Sequence, residues 1–188
     1  MTNHVQDKTI IVTGAASGFG RLICQKAISA GAKVVCADIN EGLLNTVVQE
    51  LIGAGGRAIG QHTDVSDLSQ MRGLATKAVE HFGRIDVMVN NAGVMPLAFY
   101  ADHADASAKW SQCIDINIKG VLHGIISVYD QMMAQEEGHV INISSIYGNF
   151  PVAGAGVYGA SKAAVNFLSE SLRVEARGKI KVTTVKPT

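Results

Sequence analysis

The sequence lacks a cysteine framework, an excess of charge of either sign and a metal-binding pattern. Its three cysteines, Cys24, Cys36 and Cys113, are odd in number and far apart, which favours small buried side chains over a disulfide or a metal site. The six histidines form no HExxH motif and no paired ligand spacing, so no metal is predicted. Because 16 basic residues balance 16 acidic ones, there is no electrostatic reason to expect a nucleic acid as partner.

Long apolar runs are absent as well. The longest are the length of a strand, no cluster of Lys and Arg suggests an anionic membrane surface, and residues 1–7 are polar with no signal-peptide core. We therefore expect a cytoplasmic protein that does not bind a membrane. The chain has 188 residues, 47% of them hydrophobic, and strand-like segments alternate with helix-like ones. This pattern predicts a single α/β domain over residues 1–188.

The alternation can be followed along the whole chain. Strands are predicted at 8–13, 33–38, 57–63, 85–90, 139–144 and 180–186. Helices are predicted at 18–30, 41–53, 67–82, 106–135 and 158–177. The strands are apolar on both faces, which is typical of a doubly wound parallel sheet, or Rossmann fold, covered by helices on both sides. Such sheets bind ligands at the carboxyl ends of their strands, where we expect Gly14, Asp38, Asp64, Asn91 and Ser145 to converge.

A glycine-rich turn follows the first predicted strand. The β-branched run before Thr13 leads into Gly14, Gly18 and Gly20, and a helical stretch follows at once. Glycine permits a positive φ and a close approach of backbone to ligand. The free N–H groups at the start of the next helix attract a pyrophosphate. The segment therefore predicts a cradle for a dinucleotide.

The second strand ends in a carboxylate, Asp38, that lies 18 positions after Gly20. This is about where the dinucleotide fold places the acid that binds a ribose 2′-hydroxyl. Asp38 would repel a 2′-phosphate, and neither Ser17, Ile39 nor Asn40 supplies a cation that could bind one. The sequence therefore favours NAD over NADP.

Near the carboxyl terminus, Tyr158 and Lys162 are four residues apart. In a helix this spacing puts the phenol and the ammonium on one face. A free phenol ionises at about pH 10, and stabilising its anion near neutral pH takes roughly 4 kcal/mol, which a fixed positive charge helps to supply. The pair predicts an acid/base site, although the same spacing also occurs by chance on exposed helices.

Three motifs together resemble the single-domain branch of the short-chain dehydrogenase/reductase family. They are the TGxxxGxG turn at 13–20, the NNAG segment at 90–93 and the YxxxK segment at 158–162, in the order and at the separations usual in that family. The resemblance extends from about Gln6 to Pro187. It implies an oxidoreductase that transfers a hydride between NAD(H) and a secondary alcohol or ketone.

The resemblance also implies catalytic roles. Tyr158 would exchange the proton of the alcohol, and Ser145, which is 13 positions before it, would hydrogen-bond the substrate oxygen. Lys162 would bind the nicotinamide ribose and stabilise the tyrosinate. Asn117 is similar to the family residue that holds a water between the lysine and solvent. The alternative for Asn117 is a polar residue that fills a helix kink.

Further residues are similar to those that bind the cofactor in the family. Asp64 and Val65 would contact adenine; a helix-initiating Asp-Val-Ser-Asp turn is compatible with that role and does not exclude it. The NNAG segment would line the adenosine ribose, whereas its first residue, Asn90, would only stabilise the sheet. The complete predicted cofactor set is Gly14, Ser17, Gly18, Phe19, Gly20, Asp38, Ile39, Asp64, Val65, Asn91, Ala92, Gly93, Tyr158, Lys162 and Pro187.

The chain departs from the family pattern after its last predicted strand. Family members usually continue with Pro-Gly, a threonine that contacts the nicotinamide, a lid and a final strand, whereas this sequence ends at Lys186-Pro187-Thr188. The lid and final strand are thus missing, and we expect the natural chain to continue.

Two predicted helices, 106–135 and 158–177, are rich in apolar residues. The corresponding helices of the family pair across a two-fold axis, so we expect a homodimer or homotetramer. Five residues suggest an uncovered apolar surface on these helices: Trp110, Ile125, Val128, Phe167 and Leu172.

Two questions stay open in the sequence. Apolar residues after the NNAG segment (Met95, Pro96, Leu97, Phe99, Tyr100) and after Ser145 (Ile146, Tyr147, Phe150, Pro151, Val152) either line a substrate pocket or pack against a lid or a partner subunit. An apolar lining favours a weakly charged secondary alcohol or ketone. The second hypothesis for function is a catalytically silent dinucleotide sensor or scaffold with the same fold.

Overall fold

The computed structural model describes residues 4–188. Its strands are β1 Thr9–Thr13, β2 Lys33–Asp38, β3 Arg57–His62, β4 Val87–Asn90, β5 Gly138–Ile143 and β6 Ile180–Val185. Its helices are α1 Gly18–Ser29, α2 Glu41–Gly53, α3 Leu68–Phe82, α4 His103–Ile114, α5 Gly120–Gln135 and α6 Gly156–Glu175. A π turn over Asp115–Lys119 joins α4 to α5. A short 3₁₀ turn, Ile146–Gly148, follows β5.

The six strands form one parallel sheet in the order β3-β2-β1-β4-β5-β6. The strand order reverses between β1 and β4, and a parallel sheet opens a crevice at such a point. The predicted doubly wound α/β fold is confirmed. Among residues 4–188, no helix is long and apolar enough to cross a bilayer.

Apolar side chains cover both faces of the sheet. Ile11 and Val35 pack with α3, α5 and α6 on one face. Val12 and Val34, their neighbours along β1 and β2, pack with α1 and α2 on the other. This alternation explains why the strands read as continuous apolar runs.

All three cysteines are buried and free, as predicted for small buried side chains. Cys24 of α1 and Cys36 of β2 lie in the same core cluster with their Sγ atoms 3.6 Å apart. No local pattern predicts this contact, because only the packing of α1 on the sheet brings the two residues together.

The predicted helix at 106–135 differs from the observed structure in two ways. It begins three residues earlier, at His103, and it is interrupted by the π turn around Asn117. The predicted helix at 158–177 also begins earlier, at Gly156. Tyr158 therefore lies in the first turn of α6, beside the loop that follows β5.

A ladder of buried polar side chains joins the strands next to the crevice. Asn90 Nδ2 donates to Asn142 Oδ1 at 2.8 Å, and Asn142 Nδ2 donates to Ser169 Oγ of α6 at 2.8 Å. The ladder fixes β4 and β5 against α6, and these contacts match the role predicted for Asn90.

Candidate active site

The glycine-rich turn after β1 is built around close backbone contacts. A Cβ on Gly14, whose φ is +64°, would lie 3.0 Å from the Cα of Ala92. A Cβ on Gly20 would lie 2.0 Å from the carbonyl oxygen of Gly14, whereas a Cβ on Gly18 would point into open space. Gly14 and Gly20 therefore let the turn close, and Gly18 keeps its outer side open to a ligand.

Thr13 and Asn91 tie this turn to the end of β4. The Asn91 side-chain amide donates to the carbonyl oxygens of Thr13 and Gly14, at 2.8 and 3.3 Å. Thr13 Oγ1 accepts from the backbone N–H groups of Asn91 and Ala92, at 3.0 and 3.1 Å. The predicted site residues did not include Thr13. A hydroxyl residue at the end of a strand, directly before a glycine, was the signal that could have indicated this role.

The start of α1 suits an anionic group. Its N-cap residue, Ser17, makes no side-chain hydrogen bond to the helix. The first amides of a helix have no partner within the helix. Those of α1 therefore carry no side-chain cap that would compete with an anion.

Asp38 lies at the end of β2 beside the turn. One carboxylate oxygen accepts from the backbone N–H of Ala16 and the other from that of Asn40, both at 2.9 Å. Each oxygen keeps a further lone pair, because an ionised carboxylate can accept about four hydrogen bonds. The backbone thus fixes the carboxylate without using up its capacity to bind a ligand.

Asp64 and Val65 follow β3. Asp64 Oδ1 accepts from Ser66, from its N–H at 2.9 Å and its hydroxyl at 2.7 Å. The helix-initiating turn that the sequence left as an alternative is therefore present. The carbonyl oxygen of Val65 accepts from His123 Nδ1 of α5 at 2.9 Å.

These residues meet in a first cleft of about 390 Å³. It is lined by Gly14, Ser17, Gly18, Phe19, Asp38, Ile39, Thr63, Asp64, Val65, Asn91, Ala92, Gly93, Val94 and Ile116. Eleven of these fourteen belong to the cofactor set expected from sequence; Thr63, Val94 and Ile116 were missed. Gly20 does not line the cleft. No Lys or Arg lines it either, within the part of the chain that the structure describes.

A second cleft, about 520 Å³, adjoins the first. The two share Phe19, Asn91, Gly93 and Val94. The other residues around the second cleft are Met95, Ile143, Ser144, Ser145, Ile146, Tyr147, Tyr158, Lys162, Pro187 and Thr188. Ser145, Tyr158, Lys162 and Pro187, widely separated in sequence, are thus brought to one place.

Lys162 is the charged group of the second cleft. The residue is only 5% exposed. Its Nζ donates to the carbonyl oxygen of Ile143 at 2.8 Å and lies 5.7 Å from the centre of the Tyr158 ring. Burial lowers the pKa of Lys162 to about 8, and the nearby Cys113 opposes the shift only in part. The protein therefore holds an ammonium in a poorly solvated position.

Asn117 lies fully buried on the π turn. Its Oδ1 accepts from the N–H of Val94 and its Nδ2 donates to the carbonyl oxygen of Val94, both at 2.9 Å. Nδ2 also donates to Ser161 Oγ at 3.0 Å. These contacts match the alternative in which Asn117 fills a kink, and its water-holding role stays a prediction. A Cβ on Gly93 would lie 3.2 Å from Asn117 Oδ1 and 3.5 Å from Lys162 Nζ.

Ser145 begins the 3₁₀ turn after β5. Its Oγ accepts from the N–H of Tyr147 at 3.2 Å, which leaves the hydroxyl hydrogen free to donate elsewhere. The carbonyl oxygen of Pro187 accepts from the N–H of Ile146 at 3.2 Å. This bond holds the segment after β6 beside Ser145.

The apolar faces of α5 and α6 differ from those expected. Ile125, Val128 and Leu172 are buried in the core, and Trp110 is half-buried. Of the five residues expected on an uncovered surface, Phe167 alone is exposed, at 78%. Exposed apolar residues on these two helices that the sequence reasoning did not name are Leu122, Ile126 and Val174.

The chain is similar to known dehydrogenases along its whole length. The family model described as "short chain dehydrogenase" matches residues 8–188. An uncharacterized oxidoreductase of Staphylococcus saprophyticus is 37% identical over 188 residues, which cover 98% of this chain and 75% of the relative. The 2,5-dichloro-2,5-cyclohexadiene-1,4-diol dehydrogenase LinX of Sphingobium indicum is 34% identical over 190 residues, which cover 100% of this chain and 74% of LinX.

Solved structures that are similar to this chain are also short-chain dehydrogenases or oxidoreductases. A short chain dehydrogenase/reductase from Burkholderia phymatum in complex with NAD superposes with a TM-score of 0.92 at 36% identity, over 98% of this chain and 66% of that one. A metagenomic short-chain oxidoreductase in complex with NADP superposes with a TM-score of 0.90 at 35% identity, over 98% of this chain and 84% of that one.

The fold and the matches define an oxidoreductase with a nicotinamide-dinucleotide fold. The chain belongs to the short-chain dehydrogenase/reductase family. One structural neighbour holds NAD and another NADP, so the choice of cofactor rests on this chain's own residues.

Proposed function

We propose that the protein transfers a hydride between NAD(H) and a secondary alcohol or ketone. The observation that carries this proposal is the second cleft, where Ser145, Tyr158 and Lys162 surround one space that shares a wall with the first cleft. The name of the relative LinX describes dehydrogenation of an uncharged cyclic diol, which supports an alcohol as substrate.

The first cleft fits a nicotinamide dinucleotide. The open side of Gly18 and the uncapped start of α1 would hold the pyrophosphate. Asp38 would accept hydrogen bonds from a ribose, and Asp64 would bind adenine. When bound, the nicotinamide ring supplies or accepts the hydride. Gly93, small and beside Lys162 Nζ, would leave room for the nicotinamide ribose where the two clefts meet.

The proton would be handled by residues of the second cleft. Ser145 Oγ, with its hydrogen free, would donate to the substrate oxygen and hold it near Tyr158. In reduction the Tyr158 hydroxyl would give its proton to that oxygen, and in oxidation the tyrosinate would take it back. The Lys162 ammonium would stabilise the tyrosinate and donate to the ribose hydroxyls.

This function is tested by incubating the full natural chain with NADH and a panel of uncharged ketones, and with NAD⁺ and the matching alcohols. The nicotinamide absorbance should change only when a substrate is present. Absence of turnover across the panel, with cofactor binding intact, would count against the proposal.

Cofactor preference provides a separate prediction. NAD(H) should bind at least about tenfold, or 1.4 kcal/mol, more tightly than NADP(H). Asp38 would repel a 2′-phosphate, and no described cation lines the first cleft to neutralise it. Calorimetric titration with both cofactors measures the ratio.

A variant provides the control for this prediction. Asp38→Asn should bring the affinities for NAD(H) and NADP(H) closer together, because it removes the charge and keeps the size of the side chain. Equal affinities of the wild type for the two cofactors, or tighter binding of NADP(H), would refute the role of Asp38.

We also propose a homodimer or homotetramer formed through α5 and α6. Phe167 and Val174, seven positions apart on α6, are each 78% exposed and lie on one face of the helix. An uncovered face of this kind is typical of a protein interface. Light scattering on the full natural chain at micromolar concentration should give the mass of a dimer or tetramer.

Paired variants locate the interface. Phe167→Asp should shift the protein toward monomer, because it places a charge in an apolar contact. Ile52→Asp, at a 46% exposed apolar residue on α2, should leave the mass unchanged. A monomeric wild type, or a Phe167→Asp protein that still assembles, would argue against this interface. The predicted cytoplasmic location stays a prediction.

A further inference from the structure

Tyr147 is held at a fixed place beside Tyr158 by two close backbone contacts. A Cβ on Gly159 of α6 would lie 2.8 Å from the carbonyl oxygen of Tyr147. A Cβ on Gly148 would lie 2.8 Å from the carbonyl carbon of Lys162. Because both positions are glycine, the 3₁₀ turn lies directly on α6. The ring of Tyr147 therefore has a defined position relative to the proposed reacting group.

The Tyr147 side chain makes its described contacts through its ring. The ring lies edge-on to the Tyr158 ring, with centres 6.2 Å apart and planes at 79°. It is tilted at 58° to the Phe150 ring, with centres 6.3 Å apart. Both distances fall in the range of favourable aromatic pairs. The Tyr147 hydroxyl has no hydrogen-bond partner among residues 4–188.

Tyr147 also separates the second cleft from an adjoining pocket. This aromatic side pocket, about 390 Å³, is lined by Tyr147, Tyr100, Phe150, Pro151 and Val152 together with small residues of the 3₁₀ turn, of α6 and of the loop before α6. Tyr147 is the one residue common to the second cleft and the side pocket. Because the ring centres of Tyr147 and Tyr158 are 6.2 Å apart, one substituent of a substrate whose oxygen lay at Tyr158 would be within reach of the Tyr147 ring.

Charge is nearly absent from both spaces. Lys162 is the only charged side chain among the described residues that line the second cleft or the side pocket. Its ammonium is buried and already donates to the carbonyl oxygen of Ile143. An anionic substituent would find no free cation there and would lose its hydration. An uncharged ring would instead find an aromatic surface.

We propose that Tyr147 determines specificity and that the substrate class is a neutral ketone or secondary alcohol with a ring attached to the reacting carbon. The ring would lie against Tyr147, in the direction of the aromatic side pocket. This inference rests on the proposed hydride transfer, because it places the reacting oxygen at Tyr158.

Three probes and two variants test the proposal on the full natural chain. The probes are acetophenone, which is neutral with a ring; 4-acetylbenzoate, the same ring with a carboxylate; and butan-2-one, which has no ring. With NADH, the wild type should give the highest kcat/KM for acetophenone. Tyr147→Leu should lower the ratio of acetophenone to butan-2-one by about fivefold to tenfold, because it removes an aromatic pair. Tyr147→Phe should retain the ratio, because the ring makes the contacts.

Binding separates this inference from the proposed function. Saturation-transfer NMR on the NAD-loaded protein should detect acetophenone, and the signal should weaken in Tyr147→Leu. If acetophenone binds in this way but no probe is reduced, the proposed hydride transfer is wrong and the proposed binding of a ring against Tyr147 is retained. Reduction of all three probes with similar kcat/KM, an unchanged ratio in Tyr147→Leu, or no binding of acetophenone would overturn the inference. Thermal melting of each variant shows that it is folded.

Discussion

Replacement of Tyr158 by phenylalanine should lower kcat by about 10²-fold to 10⁴-fold, the usual contribution of a general acid/base. The change removes the hydroxyl that would carry the proton and keeps the ring, whose edge-on contact with Tyr147 has centres 6.2 Å apart. NADH affinity should therefore change little. Steady-state kinetics on any substrate from the panel, together with titration of NADH, measures both quantities.

A matched variant controls for the loss of a tyrosine hydroxyl. Tyr129 of α5 packs against the core and lines neither cleft. Tyr129→Phe should therefore keep kcat near that of the wild type. If Tyr158→Phe turned over within tenfold of the wild type, Tyr158 would have no part in the mechanism.

Replacement of Lys162 by methionine should impair both turnover and NADH binding. It should lower kcat by about 10²-fold, because the tyrosinate loses its stabilising charge. It should also weaken NADH binding by at least about tenfold, because a charge-assisted hydrogen bond to the ribose is lost. A Lys162→Met protein with normal NADH affinity would contradict the ribose contact proposed for this residue.

The same variant should be more stable than the wild type at neutral pH. The pKa of Lys162 is about 8 in the folded chain against the ordinary value of 10.5. Below pH 8 the folded protein therefore holds a buried ammonium at a cost of up to about 3 kcal/mol. Lys162→Met removes that cost and also the hydrogen bond to Ile143. The net gain should be about 1–2 kcal/mol.

This gain should depend on pH. Between pH 8 and about pH 10.5 the unfolded chain binds more protons at Lys162 than the folded chain does, so wild-type stability should rise with pH in this interval. The difference in the free energy of unfolding between Lys162→Met and the wild type should shrink by the amount that the wild type gains. Denaturant unfolding of both proteins at about pH 7 and pH 10 measures it, and a variant less stable than the wild type at pH 7 would contradict the burial argument.

The sequence predicted the sheet well, because its signals are local. Each strand is a short apolar run, and three helices are followed by Gly31, Gly83 and Gly178, whose φ angles are between +81° and +83°. Positive φ is a backbone requirement that glycine meets at low cost. The boundaries of β2 and α2 were predicted to the residue.

The exposed faces of the helices could not be predicted in the same way. The π turn at 115–119 adds a residue to the helical repeat. Ile125 and Val128, expected on an uncovered surface, lie in the core because they pack with α3 and the sheet in one apolar cluster. Which apolar residues of a helix face that cluster depends on how the helix is docked, and composition alone does not indicate it.

Within the site, the sequence predicted the motif residues but not the hydrogen bonds that hold them in place. Ser145, Tyr158 and Lys162 lie around the second cleft, as their positions at strand ends and on one helix face indicate. The contacts of Thr13 with Asn91, and of Asn117 with Val94, join segments that are far apart in sequence. Only the folded chain brings such partners together, and no local pattern indicates them.

Transfer of a labelled hydride from NADH to a ketone would demonstrate the proposed reaction itself. The full natural chain would be incubated with NADH in which both hydrogens at the reactive carbon of the nicotinamide are replaced by deuterium, together with acetophenone and the rest of the ketone panel, and the products analysed by mass spectrometry. Deuterium should appear on the carbinol carbon of at least one product, and far less of it should appear with Tyr158→Phe. If NADH binds and no product carries deuterium, the protein is a dinucleotide sensor or scaffold, and the proposed function is wrong.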